Sequence, residues 1–161
     1  MKDLPRRQAM LALGAATLVT LPRGACARES ALPVPASLRE AGRQAQAAGK
    51  PLVLLVSLPG CPYCELVRRN YLLPMRAEGL HAWQISVTDT QRPVRDFEDA
   101  ASTGAALAAR WKAGFTPTVL FFDERGMELA DRLVGMPSVD FYGAYLDDTL
   151  ASARKKLSGK G

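Results

Sequence analysis

Two cysteines stand two residues apart in Cys61-Pro62-Tyr63-Cys64, between the apolar run 51–58, closed by Pro59-Gly60, and a stretch of helical spacing from Glu65 to Leu73. A pair so placed lies on a strand-to-helix turn. Unpaired backbone N–H groups and the helix dipole at such a turn stabilise an anion, so Cys61 is predicted to be the more readily ionised thiol. A free thiol titrates near pH ~8.5, whereas thiols in motifs of this kind fall to about 3.5–7.5, which makes thiolate a major species. Cys61 is therefore the expected nucleophile. Cys64, one helical turn further on the same side, is the expected resolving thiol that attacks a mixed disulfide between Cys61 and a partner. Pro62 suits the first helical position because it lacks an N–H that would find no partner there. Tyr63 offers an exposed aromatic beside the reactive sulfur, either as a partner contact or as rim.

Three other readings compete. A structural disulfide across so short a loop stabilises little, because loop-closure entropy grows with loop length. A zinc site needs about four ligands, and besides the pair the chain offers His81 and ordinary carboxylates. Two reduced core cysteines are the third reading, opposed by Pro59-Gly60 before the pair and Pro62 within it, which favour an exposed turn.

The elements that must position the pair follow from periodicity. Residues 28–36, with Pro33 and Pro35, read as an extended lead-in; Ser37 caps a helix with Leu38, Ala41, Ala45 and Ala48 on one side, ended by Gly49. The run 51–58 is continuously apolar and partly β-branched, as in a central parallel strand buried on both faces. The helix after the cysteines is expected to stop at Pro74. A second strand is predicted over Ala82–Val87, and the polar segment Thr88–Ser102 is either a surface loop or a short helical excursion. Thr103–Lys112 reads as a helix with Leu107, Ala108 and Trp111 inward. Thr118–Phe122 and Glu128–Val134 are predicted to pair as an antiparallel hairpin around Asp123–Gly126. A last helix from about Ser138 presents Phe141, Tyr145, Thr149 or Leu150, Ala153 and Leu157 to the sheet. The order is that of a mixed α/β sandwich.

The chain of 161 residues is 48% apolar and 23% charged, too apolar for disorder and long enough for one domain. No run is long enough to predict a permanent membrane span. Residues 1–27 read instead as an export signal: Lys2, Arg6 and Arg7 precede an apolar run from Ala9 to Leu21, and Ala25-Cys26-Ala27 supplies small residues for cleavage after Ala27. Arg6-Arg7 leaves the twin-arginine route open beside the Sec route, and Cys26 raises lipidation, against which Arg23 stands where an aliphatic residue is expected. Removing this segment takes away Lys2, Arg6, Arg7 and Arg23 against Asp3, so the net charge falls from +5 to +2. The basic character belongs largely to the signal, and nucleic acid is not an expected partner. The three cysteines fall to two, Cys61 and Cys64, too few for a disulfide-stapled scaffold.

The dithiol after a buried strand, then Phe115-Thr116-Pro117-Thr118 leading into Val119-Leu120-Phe121-Phe122-Asp123 and Gly126, resembles the thioredoxin superfamily over nearly all of residues 37–157. The resemblance implies a thioredoxin fold, a central mixed β-sheet flanked by helices, here with an extra N-terminal helix, between the lead-in and a short tail at 158–161. It also implies a cis Thr116–Pro117 bond facing the dithiol, with the Thr116 backbone pairing with an extended client segment. Pro62, Tyr63, Thr116 and Pro117 are accordingly the expected substrate-binding residues, and no metal or cofactor is expected. The sequence departs from cytoplasmic thioredoxin at three points: Pro-Tyr between the cysteines instead of Gly-Pro, Leu55 where thioredoxin buries an acid, and Phe115 in place of a glycine. Without that acid, Cys64 relies on water or another base. Pro-Tyr also occurs in glutaredoxins, but the paired glycines that bind glutathione there are missing after Pro117.

With an export signal, the chain is most similar to periplasmic thioredoxin-like proteins linked to sulfur oxidation or cytochrome c maturation. This implies a periplasmic thiol:disulfide oxidoreductase that mainly reduces disulfides of exported clients and is re-reduced by a membrane electron carrier. The alternatives are a disulfide-donating oxidase or isomerase and a non-catalytic copper-binding or assembly module, since Cu(I) accepts two soft thiolates.

Overall fold

The structure is a computed structural model describing residues 31–159. The predicted export signal at residues 1–27 with Cys26, the first residues of the lead-in and the end of the tail lie outside the described residues. The elements run α1 (Leu38–Ala47), β1 (Leu52–Ser57), α2 (Pro62–Leu66), a π-helical segment (Val67–Leu72), α3 (Leu73–Ala77), β2 (Ala82–Ser86), β3 (Pro93–Arg95), β4 (Ala101–Thr103), α4 (Gly104–Arg110), β5 (Thr118–Phe122), β6 (Leu133–Val134) and α5 (Tyr142–Ser158). The main sheet has the order β2-β1-β5-β6. β1 is parallel to β2 and antiparallel to β5, which makes the sheet mixed and puts β1 inside it.

Every residue of β1 is buried, and alternate side chains enter opposite cores. Val53 and Leu55 join Val119 and Phe121 of β5 against Val67 and Leu72 of the π segment and Tyr142, Leu146, Leu150 and Ala153 of α5. Leu52, Leu54 and Val56 join Leu120, Phe122 and Ile85 against Leu38, Ala41 and Ala45 of α1 and Leu107 and Ala108 of α4. This is a three-layer sandwich in which the strand that leads into the cysteines is anchored from both sides. At about 1.5–3 kcal/mol per fully buried aliphatic side chain, this burial holds β1 firmly between the layers. Ser37 caps α1, its hydroxyl accepting from the Glu40 N–H at 3.2 Å. Ahead of it, Leu32 is buried and the Pro33 carbonyl accepts from the Gln84 N–H at 3.0 Å, so the lead-in runs along the outer edge of β2.

Four expectations are corrected. The helix after the dithiol passes through Pro74 and ends at Ala77. The preceding turn is wide, with the Leu73 N–H bonded to the Arg68 carbonyl five residues back, and this looser winding accommodates a residue that has no N–H and a bulky ring. The segment Thr88–Ser102 is neither loop nor helix throughout, since it holds the antiparallel β3–β4 pair, with Val94 opposite Ser102. The turn between these strands is organised by buried Asp96, whose Oδ1 accepts from the N–H groups of Glu98 and Ala100 at 3.1 and 2.8 Å. Its Oδ2 accepts from Arg110 Nη1 at 2.6 Å.

The partner of β5 is much shorter than Glu128–Val134. Phe122 bridges to Glu128, and Val119 and Thr118 pair with Leu133 and Val134, so the four residues 129–132 lie opposite only Leu120 and Phe121. The extra residues form a bulge that turns Leu129 into the core. In α5 the inward face is shifted: Tyr142, Leu146, Leu150 and Ala153 are buried, while Phe141 and Tyr145 are exposed.

Candidate functional site

β1 delivers the chain to a tight turn in which Gly60 has φ +75° and the Cys61 N–H bonds to the Leu58 carbonyl at 3.2 Å. A residue with a Cβ is strained at that φ, so glycine closes the turn. Cys61 is the N-cap of α2, and its sulfur accepts from the Cys64 N–H at 3.1 Å. Pro62 occupies the first turn of α2. Cys61 and Cys64 form a disulfide with Cα atoms 5.3 Å apart. The two sulfurs differ in access: Cys64 is fully buried, whereas Cys61 is partly open to solvent, and Tyr63 beside it is 53% exposed.

Across from the pair, the Thr116–Pro117 peptide bond is cis. Thr116 directs its hydroxyl at the Cys61 sulfur, with Oγ1 4.0 Å from Sγ. Pro117 is buried, and its carbonyl accepts from the Gly135 N–H at 2.7 Å, which ties the bend to the end of β6. The Thr118 hydroxyl donates to the Phe115 carbonyl at 2.7 Å and locks the approach to the bend from inside. Thr116 precedes β5 and takes part in none of that strand's ladder pairs. Phe115 is 67% exposed, its ring packed over Gly135, where a Cβ would come within 3.0 Å of it. The structure thus brings Cys61, Cys64, Thr116 and Pro117 together, with Tyr63 and Phe115 at the rim.

Leu55 is buried and carries no charge to the site. One helical turn beyond Cys64 stands Arg68, a residue that the sequence leaves unplaced. Its side chain is only 8% exposed, and Nε donates to Gln84 Oε1 at 2.7 Å while Nη2 donates to Ser57 Oγ at 2.9 Å. Nη1 pairs with Glu65 Oε1. The signal was the interval of four between Cys64 and Arg68, which sets both on one helical face. His81 is remote from the pair. It accepts the Val53 N–H at the start of β1, while the cysteines follow the end of β1. Partial burial, then Lys50 and Arg76, hold its imidazole below the ordinary 6.5. Among the described residues no group of three or more His, Cys, Asp or Glu could hold a metal ion.

A strand and a helix that present a redox-capable pair, half of it open to an attacking sulfur and half sealed, define a thiol:disulfide oxidoreductase. Residues 38–150 match the family model described as a thioredoxin-like domain, and the chain belongs to that family. Among solved structures it is similar to the DsbH oxidoreductase, at 18% identity and TM-score 0.49, over 88% of this chain and 95% of that one. The C-terminal domain of Neisseria meningitidis DsbD, in its oxidised form, matches at 19% identity and TM-score 0.46, over 70% and 89%. The reduced periplasmic thioredoxin SoxS from Paracoccus pantotrophus matches at 19% identity and TM-score 0.41, over 65% and 99%. No curated protein sequence matches the chain.

Proposed function

We propose that the protein is exported to the periplasm by the Sec or twin-arginine route and there mainly reduces disulfides of exported client proteins. The observation that carries the exchange order is the difference in access between the sulfurs: a client disulfide can reach Cys61 but not Cys64. In the reduced protein the Cys61 thiolate attacks one client sulfur, the client S–S bond breaks, and the departing client thiolate takes a proton. Cys64 then loses its proton and attacks Cys61 Sγ. The Cys61–client bond breaks, the second client thiolate leaves, and two electrons have passed from the dithiol to the client. A membrane electron carrier returns the pair to the dithiol.

The exposed rings of Tyr63 and Phe115 flank the client's sulfur, and Thr116, outside the β5 ladder, offers its backbone to an extended client segment as an added strand. Export is supported by the charge, apolar and small-residue zones of residues 1–27. Among the described residues no helix is long and apolar enough to cross a membrane.

Two measurements test this reading. Equilibration of the full chain in graded thiol buffers gives the reduction potential of Cys61–Cys64. A value well below the range of about −120 to −180 mV supports a reductase, and a value near −120 mV replaces it with an oxidase. The Cys64→Ser variant is expected to accumulate mixed disulfides through Cys61 with exported proteins. Stoichiometric copper on the native pair with no trapped species would point to a metal carrier instead.

A further inference from the structure

We propose that Arg68 is a positioning residue for the exchange reaction, its guanidinium being the fixed charge one helical turn beyond Cys64 that favours ionised over protonated thiol in the reduced protein. The inference rests on exchange at Cys61–Cys64 and not on its direction. Leu55 and Gln84 are register partners on β1 and β2, so neither member of this pair is charged. Arg68 reaches into that uncharged place from the helical side, one turn beyond Cys64. Helical side chains lean toward the N-terminus, which for Arg68 is the direction of the cysteines.

Three anchors fix the head group: Gln84 Oε1 at 2.7 Å, Ser57 Oγ at 2.9 Å and the Glu65 carboxylate. Ser57 and Glu65 lie four residues before Cys61 and one after Cys64, so the guanidinium is tied to both flanks of the Cys61–Cys64 turn. The ion pair is asymmetric. Arg68 is 8% exposed and Glu65 46% exposed, and Glu65 is shared with solvent-facing Arg69. Water screens the carboxylate more than the guanidinium, so at buried Cys64 the positive charge dominates. Glu65 adjoins Cys64 in sequence and faces a different direction on the helix, so it serves the guanidinium and not the thiol.

The consequence is chemical. The charge that rests on Cys61 in the reduced protein, and the one that forms on Cys64 when it gives its proton to water and attacks Cys61 Sγ, are both thiolates in the field of a guanidinium already in place. The disulfide carries no such charge, so Arg68 stabilises the reduced form alone and raises the potential of the pair.

The test compares full-length wild type with Arg68→Met and Arg68→Lys. The readouts are the equilibrium constant against glutathione, the pH profile of Cys61 alkylation and the rate of mixed-disulfide resolution. Arg68→Met is expected to shift the equilibrium about tenfold toward the disulfide, about 30 mV more negative. It should also move the alkylation profile to higher pH and slow resolution, while Arg68→Lys retains most of the wild-type behaviour. An unchanged equilibrium and profile in Arg68→Met, whatever its thermal stability, overturns the proposal and leaves Arg68 a structural staple. If Arg68→Met does not fold, Ser57→Ala decides: a shift of about threefold toward the disulfide supports the assignment, and none refutes it. The reductase reading depends on the absolute potential of the wild type and this one on differences between variants, so each can fail without the other.

Discussion

Thr116 holds its hydroxyl 4.0 Å from the sulfur of Cys61, across the bend made by the cis bond to Pro117. A hydroxyl there can turn its proton toward a thiolate, though at this distance the contact is worth less than the ~1.5–3 kcal/mol of a well-formed hydrogen bond to a charged group. Thr116→Val keeps the shape and removes the donor. Its expected effect is a shift of the Cys61 alkylation profile with iodoacetamide to higher pH, with an unchanged far-UV spectrum. An unaltered profile would show that the hydroxyl faces the sulfur without stabilising its charge.

Gly126 closes the turn after β5 at φ +81°, and a Cβ there would lie 2.5 Å from the Phe97 ring. That ring is itself packed edge-on to Phe122, with centroids 5.1 Å apart. Gly126→Ala therefore combines left-handed backbone strain with a clash against a ring that has little room to retreat. The expected cost is about 2–4 kcal/mol, seen as a lower urea midpoint with an unchanged slope. A loss below about 0.5 kcal/mol would mean that the aromatic cluster is loosely packed.

The Arg110 guanidinium, helped by the backbone N–H groups of Ala100 and Glu98 and opposed by burial, holds the Asp96 carboxyl below its ordinary 3.8. A depressed folded-state pKa adds stability that is complete above the unfolded value and is lost as pH falls through the folded one. Asp96→Asn is thus expected to be less stable than wild type by about 1–3 kcal/mol at pH 7, with the gap narrowing below about pH 4. Chemical denaturation at pH 7 and pH 3 measures both numbers, and a gap that stays constant between them would exclude the linkage.

Tyr142 is 1% exposed, and its hydroxyl is buried without a hydrogen-bond partner among the described residues. Burial, reinforced by nearby Tyr71, pushes its ionisation well above the ordinary 10. An unpaired buried hydroxyl costs free energy that a phenyl ring does not. Tyr142→Phe should therefore raise stability by about 1 kcal/mol, or a few degrees in Tm. A destabilised variant would show that the hydroxyl is satisfied in solution.

The parts of this fold that rest on local rules could be read from the chain. Ser37 capping α1, the fully buried strand ending at Ser57 and the cysteines at the N-cap of α2 all follow from residue type and spacing. Where tertiary contacts decide, local pattern does not suffice. Pro74 is a helix breaker by propensity, yet the π turn before it lets the helix continue to Ala77. The inward face of α5 includes Tyr142 and not Phe141, because a string of apolar residues at three- and four-residue spacing does not fix the phase to within one position. In 88–103 the strands are three residues each and are organised by Asp96 and Arg110, fourteen positions apart, a pairing without local signature. At the site, both sulfurs and Thr116 were legible. The Arg68 anchors were not, because Ser57 and Gln84 are ordinary polar residues until the fold sets them around one guanidinium.

The lead-in before α1 does more than connect. By lending the Pro33 carbonyl to Gln84 and burying Leu32, it covers the outer side of β2, while at the far margin β6 offers only two residues of ladder. A sheet finished in this way gives a neighbouring molecule little template for strand recruitment. With both margins of the main sheet occupied or short, copies crowded together have little means of polymerising along the edges of that sheet.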